Sequence, residues 1–310
     1  MDFKLTEEQK ALQSLARDFA TKKVRPIAQE FDQKQDPSEC VPWDVLEEGS
    51  KIGLRTLAIS EENGGGGADM LTLSIVGEEL GAGDLGVAAT FDQTWKFSPI
   101  VENWTNDEQK ERFLPKLIND HRFLLATCIT EPNAGTDHVL PYPEPGFGVQ
   151  MSAVKKGNHY ELNGTKQYIS NGGTAKLYVT YARTDKSQGG LKGITAFLVP
   201  HDTPGLEIGR IHDKMGRRLL SNGTLVFNNV KVPEEKILGE ENGAESLRGS
   251  RIARGRGGYG ATVLGTGRAA FEEAVKFSQE RIQGGKPIAQ HQAVAQMIGE
   301  MYTRIESARS

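Results

Sequence analysis

The chain has 310 residues, 37% of them hydrophobic, enough material for more than one domain at roughly 100–200 residues each. Lys and Arg number 37 against 41 Asp and Glu, a net charge of −4, and no block of like charge stands out, which excludes electrostatic binding of nucleic acid or of an anionic membrane surface. Apolar runs of only a few residues exclude a membrane-spanning helix, which needs about 18, and two isolated cysteines, Cys40 and Cys128, exclude a disulfide framework or a zinc finger.

From Leu5 to about Asp120 the pattern is helical. Leu5, Leu12, Leu15, Phe19, Ile27 and Phe31 follow the helical period, and Thr6 followed by Gln9 predicts a capping box at the start. Met70, Leu73, Val76 and Leu80 predict a second helix. A box at Thr105 and Glu108 predicts a third through Phe113 and Leu117, kinked or cut short by Pro115. The glycine-rich run from Asn63 to Gly67 lacks the Lys-Ser/Thr of a phosphate loop and reads as a plain connection.

From about His121 to Pro233 the texture is that of strands. His159–Leu162 and Thr165–Ser170 flank Asn163-Gly164, which predicts a hairpin with a two-residue turn. Leu177–Thr184, Gly193–Val199 and Thr224–Val230 are further β-rich runs. From Glu234 onward the helical period returns, and Val294, Ile298, Met301, Ile305 and Ala308 line one face of a helix that reaches Ser310 without a stop signal. The fold class is therefore α+β: a helical domain over residues 1–120, a central β-barrel-like domain over 121–233, and a helical bundle over 234–310 that is expected to be incomplete.

Two segments stand out chemically. Thr127-Cys128-Ile129-Thr130-Glu131-Pro132-Asn133-Ala134-Gly135-Thr136-Asp137 leaves a strand and enters a loop of small and hydroxyl residues, whose N–H and O–H groups suit the carbonyls of a heteroaromatic ring or phosphate oxygens. Self-satisfied turn residues are the alternative. Gln167-Tyr168-Ile169-Ser170-Asn171-Gly172-Gly173 puts an aromatic ring and a hydroxyl two residues apart, on one face of a regular strand. Arg248, Arg251, Arg254, Arg256 and Arg268 form a run without intervening carboxylates. They suit either phosphate groups or a salt-bridged face.

These two segments, with Asp202-Thr203-Pro204-Gly205 and Val230-Lys231-Val232-Pro233, resemble the acyl-CoA dehydrogenase family over nearly the whole chain. The resemblance implies an FAD enzyme that converts an acyl-CoA thioester to a 2-enoyl-CoA and passes electrons to an electron-transferring flavoprotein. It implies that Thr127, Ile129, Thr130, Thr136, Tyr168, Ile169 and Ser170 bind FAD, that Thr136 and Arg256 meet the CoA substrate, and that Arg281 and Gln292 grip the FAD of a neighbouring subunit in a homodimer or homotetramer. It also implies departures: a proline-bearing loop from His138 to Gly148, Gly284 where the family often has an aromatic residue, and Gly255 at the position where a minority of members carry the catalytic base, the commoner location lying past Ser310. A flavin oxidase or monooxygenase of the same fold and a non-catalytic FAD-binding partner subunit are the alternative readings. Met1 leads directly into the first capped helix, without an Arg-rich extension, which points to the cytoplasm, with the mitochondrial matrix as the alternative.

Overall fold

The computed structural model describes residues 4–138, 140, 142 and 144–310, and only the backbone over 248–256. The N-terminal helices are α1 (Glu7–Phe19), α2 (Arg25–Asp32), α3 (Trp43–Lys51), α4 (Met70–Gly83), α5 (Leu85–Asn103) and α6 (Asp107–Asn119). Thr6 caps α1 as expected: its hydroxyl accepts from Gln9 N at 3.1 Å while Gln9 Oε1 accepts from Thr6 N at 3.1 Å. A five-residue π-turn, Ala20–Val24, joins α1 to α2.

The box at the start of α6 sits one residue later than expected, at Asn106 with Gln109. Thr105 instead donates its hydroxyl back to Val101 O and closes α5. Nor does Pro115 end α6, which runs through it to Asn119. Packing of Phe113, Leu114 and Leu117 into the core holds the helix. Its C-terminal carbonyls are gathered by the buried Arg55, which donates to Leu117 O at 2.5 Å and to Ile118 O at 3.2 Å.

The middle of the chain forms β1 (Leu125–Cys128), β2 (Ser152–Lys156), β3 (His159–Ser170), β4 (Leu177–Arg183), β5 (Ile194–Pro200), β6 (Leu206–Ile211), β7 (Asn222–Pro233) and β8 (Ile237–Leu238). Among the described residues they make one sheet in the order β6-β7-β3-β2-β4-β5-β8, with β1 parallel to β4. The expected hairpin at Asn163-Gly164 is absent. β3 continues through it as a bulge, because β7 pairs with both sides: Leu162 opposes Val230 and Gly164 opposes Phe227. Asn163 Oδ1 accepts from Asn229 N at 2.8 Å. The turn lies instead at Gly157-Asn158, between β2 and β3.

The last part contains α7 (Ala244–Glu280), the short hairpin β9 (Ile282–Gln283) and β10 (Lys286–Pro287), and α8 (Gln292–Arg309). Gly284 and Gly285, at φ 60° and 79°, form the hairpin turn, so the glycine standing in place of an aromatic residue has a backbone reason. Helices α4 and α7 meet backbone to backbone. A Cβ on Gly265 would fall 1.9 Å from Glu78 O and one on Gly81 2.0 Å from Thr262 O. One apolar core fills the sheet and reaches onto α5 and α6, and a second lies among α1 to α5, so α5 is the wall shared by the two. No described helix is long and apolar enough to cross a membrane.

Candidate functional site

The two chemically distinct segments are brought side by side. Gln167 N donates to Thr130 O at 2.9 Å. Beneath them lies a buried ion pair, Lys166 Nζ donating to Glu131 Oε1 at 2.8 Å and to Ile129 O at 3.1 Å. The Glu131 carboxylate also accepts from Gln150 N at 2.8 Å and Met151 N at 2.9 Å. Burial holds the Lys166 ammonium below the usual lysine range, opposed by the charge of Glu131. This support was not foreseen from the sequence, although a lysine among alternating strand residues and a glutamate opening a loop were its signal.

Asn171 knits the second segment to α5. It is fully buried, and its Nδ2 donates to Leu125 O at 3.1 Å and Thr90 O at 3.3 Å. Its φ of 60° is one that asparagine tolerates better than most residues.

The ladder is interrupted between Lys166 and Ile169, and Tyr168 sits there at φ 59°, so the regular alternation assumed for Tyr168 and Ser170 does not operate. The Tyr168 ring is 59% exposed, 4.7 Å centroid to centroid from His212, and its carbonyl accepts from Asn222 Nδ2 at 3.0 Å. Thr130 and Ser170 are half-buried and Thr136 is exposed in a short turn. Among the described residues none of these three hydroxyls makes a hydrogen bond. The other expected residues serve the sheet: Ile129 and Ile169 are buried, and Thr127 Oγ1 donates to Val179 O at 3.5 Å. An exposed ring and hydroxyls without a hydrogen bond among the described residues, carried on two joined segments, are a platform and donor set suited to a flat heteroaromatic cofactor.

Arg281 and Gln292 are exposed on either side of the β9–β10 hairpin, and no hydrogen bond among the described residues joins them to the strand-end segments. The side chains of Arg248, Arg251, Arg254 and Arg256 lie outside the described residues. Arg268 belongs to the salt-bridged reading, pairing with Glu78 at 2.9 Å, Glu79 at 2.7 Å and Glu272 at 2.8 Å. In the loop at 138–148, Val139, Pro141 and Pro143 are likewise outside the described residues. Its far end is held by Arg183, which donates to Phe147 O at 3.0 Å and Val149 O at 2.7 Å.

Models of the N-terminal, middle and C-terminal domains of acyl-CoA dehydrogenase match residues 6–121, 126–230 and 242–310. A short-chain-specific acyl-CoA dehydrogenase of Megasphaera elsdenii is 38% identical over 316 residues, spanning 100% of this chain and 79% of that protein. The structure of butyryl-CoA dehydrogenase from the same organism superposes with a TM-score of 0.91 at 37% identity, over 100% of this chain and 78% of that one. A chain from a structure of the electron transferring flavoprotein of Acidaminococcus fermentans superposes with a TM-score of 0.90 at 35% identity, with coverage of 100% and 78%.

Proposed function

The chain belongs to the acyl-CoA dehydrogenase family, and from that membership we propose that it binds FAD non-covalently and dehydrogenates an acyl-CoA thioester to the 2-enoyl-CoA. The observation that carries the reading is the joining of the two strand-end segments at Gln167 N and Thr130 O, which between them carry the exposed Tyr168 ring and the Thr130 and Ser170 hydroxyls.

When bound, the flavin supplies the two-electron acceptor for the β-hydrogen of the acyl group. This chain's residues hold and tune it. Ile129 and Thr130, with Thr127 behind them, address the pyrimidine edge. Tyr168 and Ile169 form the aromatic wall and its backing, and the Ser170 hydroxyl donates on the N5 side, where reduction raises electron density. Thr136 lies toward the phosphates and the pantetheine, with Arg256 as a second contact for CoA. Arg281 and Gln292 serve the FAD of a neighbouring subunit. Exposed Phe277, Ile282, Met297 and Tyr302 support a homodimer or homotetramer built through α7 and α8. Electrons leave to an electron-transferring flavoprotein. Domain limits at about 120 and 233 and a cytoplasmic setting complete the reading, the latter supported by two buried, unpaired cysteines.

The test is reconstitution of the purified chain with FAD, followed by addition of short-chain acyl-CoAs. Retention of flavin and a response of its visible spectrum to acyl-CoA are expected. A protein that takes up no FAD overturns the reading.

A further inference from the structure

Lys166 is a fully buried lysine on β3, and stability alone does not account for it, because well-packed apolar residues of similar volume are often as stable as a buried ion pair or more so. Its ammonium reaches past its carboxylate partner. It donates to Glu131 Oε1 at 2.8 Å and also to Ile129 O at 3.1 Å, a backbone carbonyl of the first strand-end segment. The next residue, Gln167, donates its N–H to Thr130 O at 2.9 Å. Successive residues of β3 thus hold successive carbonyls of the segment, one through a charge and one through the backbone.

The Ile129 carbonyl and the Thr130 N–H belong to one amide group, whose resonance links its two ends. A cation on the oxygen draws electron density from the nitrogen and makes the N–H a stronger donor. That N–H has no acceptor among the described residues: the β1–β4 ladder ends at Cys128, and the following turn is closed from Glu131 N to Ala134 O. The polarised donor is therefore available to a ligand.

The charge balance behind the segment points the same way. Arg183 is 3% exposed, and its guanidinium donates to five backbone carbonyls between Phe147 and Lys192 and to no carboxylate. The charge of Glu131 acts on Arg183, ahead of that of Asp185, as well as on Lys166. Cys128, at the end of β1, adds no charge, since burial pushes its thiol up to about 12. One buried carboxylate serves two buried cations, and the surplus is positive.

We propose that Lys166 is a positioning residue for the flavin, acting through the Ile129–Thr130 amide to strengthen the Thr130 N–H toward the pyrimidine edge and so favour the reduced over the oxidised cofactor. The proposal rests on the FAD reading above and concerns the tuning of that same site. Reduction gathers electron density at the pyrimidine edge, where a stronger donor and a positive field have more effect than on the oxidised ring.

The test is the midpoint potential of the FAD-loaded protein, read by equilibrium reduction against a reference dye at pH 6, where a lysine below its usual range still holds its proton. Lys166→Met and Glu131→Gln break the same pair from opposite sides. A merely structural pair would let both variants loosen the segment and move the potential in one direction or not at all. On the proposal, Lys166→Met leaves the carboxylate alone and lowers the potential, whereas Glu131→Gln leaves the ammonium alone and raises it. Each shift is expected to be about tenfold in the ratio of affinities for reduced and oxidised flavin, or about 30 mV for a two-electron couple. Shifts of the same sign, or none, overturn the proposal. Should Lys166→Met fail to fold, Glu131→Gln decides alone: a potential at or below that of the parent overturns the proposal, and one above it supports it. A parent chain that takes up no FAD overturns the FAD reading itself, and this proposal with it.

Discussion

Replacing Lys166 by methionine tests how the proposed cofactor segments are supported. The side chain keeps nearly its volume, so packing changes little, but the Glu131 carboxylate, 7% exposed, loses its countercharge. It keeps only the two N–H donors of Gln150 and Met151, and the Ile129 carbonyl loses its donor. Breaking a buried pair from one side costs about 3–5 kcal/mol, or roughly two to four powers of ten in the folding equilibrium. Glu131→Gln added to Lys166→Met removes the stranded charge while leaving an acceptor for one N–H, and should recover part of the loss. Urea unfolding followed by circular dichroism measures both. Because Ile129 belongs to the segment proposed to hold FAD, Lys166→Met should also weaken FAD binding. A single variant within about 1 kcal/mol of the parent, with unchanged FAD affinity, would refute the view that this pair fixes the strand end.

Ser170→Ala removes one neutral donor, worth about 0.5–1.5 kcal/mol, and should weaken FAD binding or lower the flavin potential; an unchanged affinity and potential would remove Ser170 from the site. Asn171→Ala should destabilise more than Asn171→Gly, by about 1 kcal/mol, because both strand the Thr90 and Leu125 carbonyls but only alanine is strained at φ 60°; equal losses in thermal unfolding would contradict this. Burial pushes the Cys128 thiol up to about 12, so the unfolded chain releases this proton first. Its contribution is intact below pH 9 and falls as pH rises from about 9 to 12, by at most about 1.4 kcal/mol per unit. Cys128→Ala should lose this component of the alkaline slope, and an identical slope would count against it. If Gly255 matches the base position that the resemblance implies, Gly255→Glu should make acyl-CoA bleach the flavin about 100- to 10,000-fold faster; no acceleration would discount that position.

The parts of the fold that were legible in the sequence are those decided locally. Thr6 and Gln9 announce α1, and the spacing of Met70, Leu73, Val76 and Leu80 announces α4, because capping and amphipathic burial depend on residues a turn apart. Asn163-Gly164 misled because the same dipeptide serves a tight turn or a bulge, and only the pairing of β7 with both halves of β3 decides which. Strand β6 escaped notice because its residues are mostly exposed at a sheet edge, so no alternation marks it. The two strand-end segments were visible as local motifs, but their adjacency, through Gln167 N and Thr130 O, is a tertiary contact that no local pattern marks.

FAD and an acyl-CoA are proposed to meet at the joined strand-end segments. Anaerobic titration of the FAD-loaded chain with short-chain acyl-CoAs, followed in the visible flavin bands, tests it most directly. A spectral change that saturates at one acyl-CoA per flavin and is weakened by Ser170→Ala is expected. A chain that retains FAD yet shows no flavin response to any acyl-CoA would contradict it.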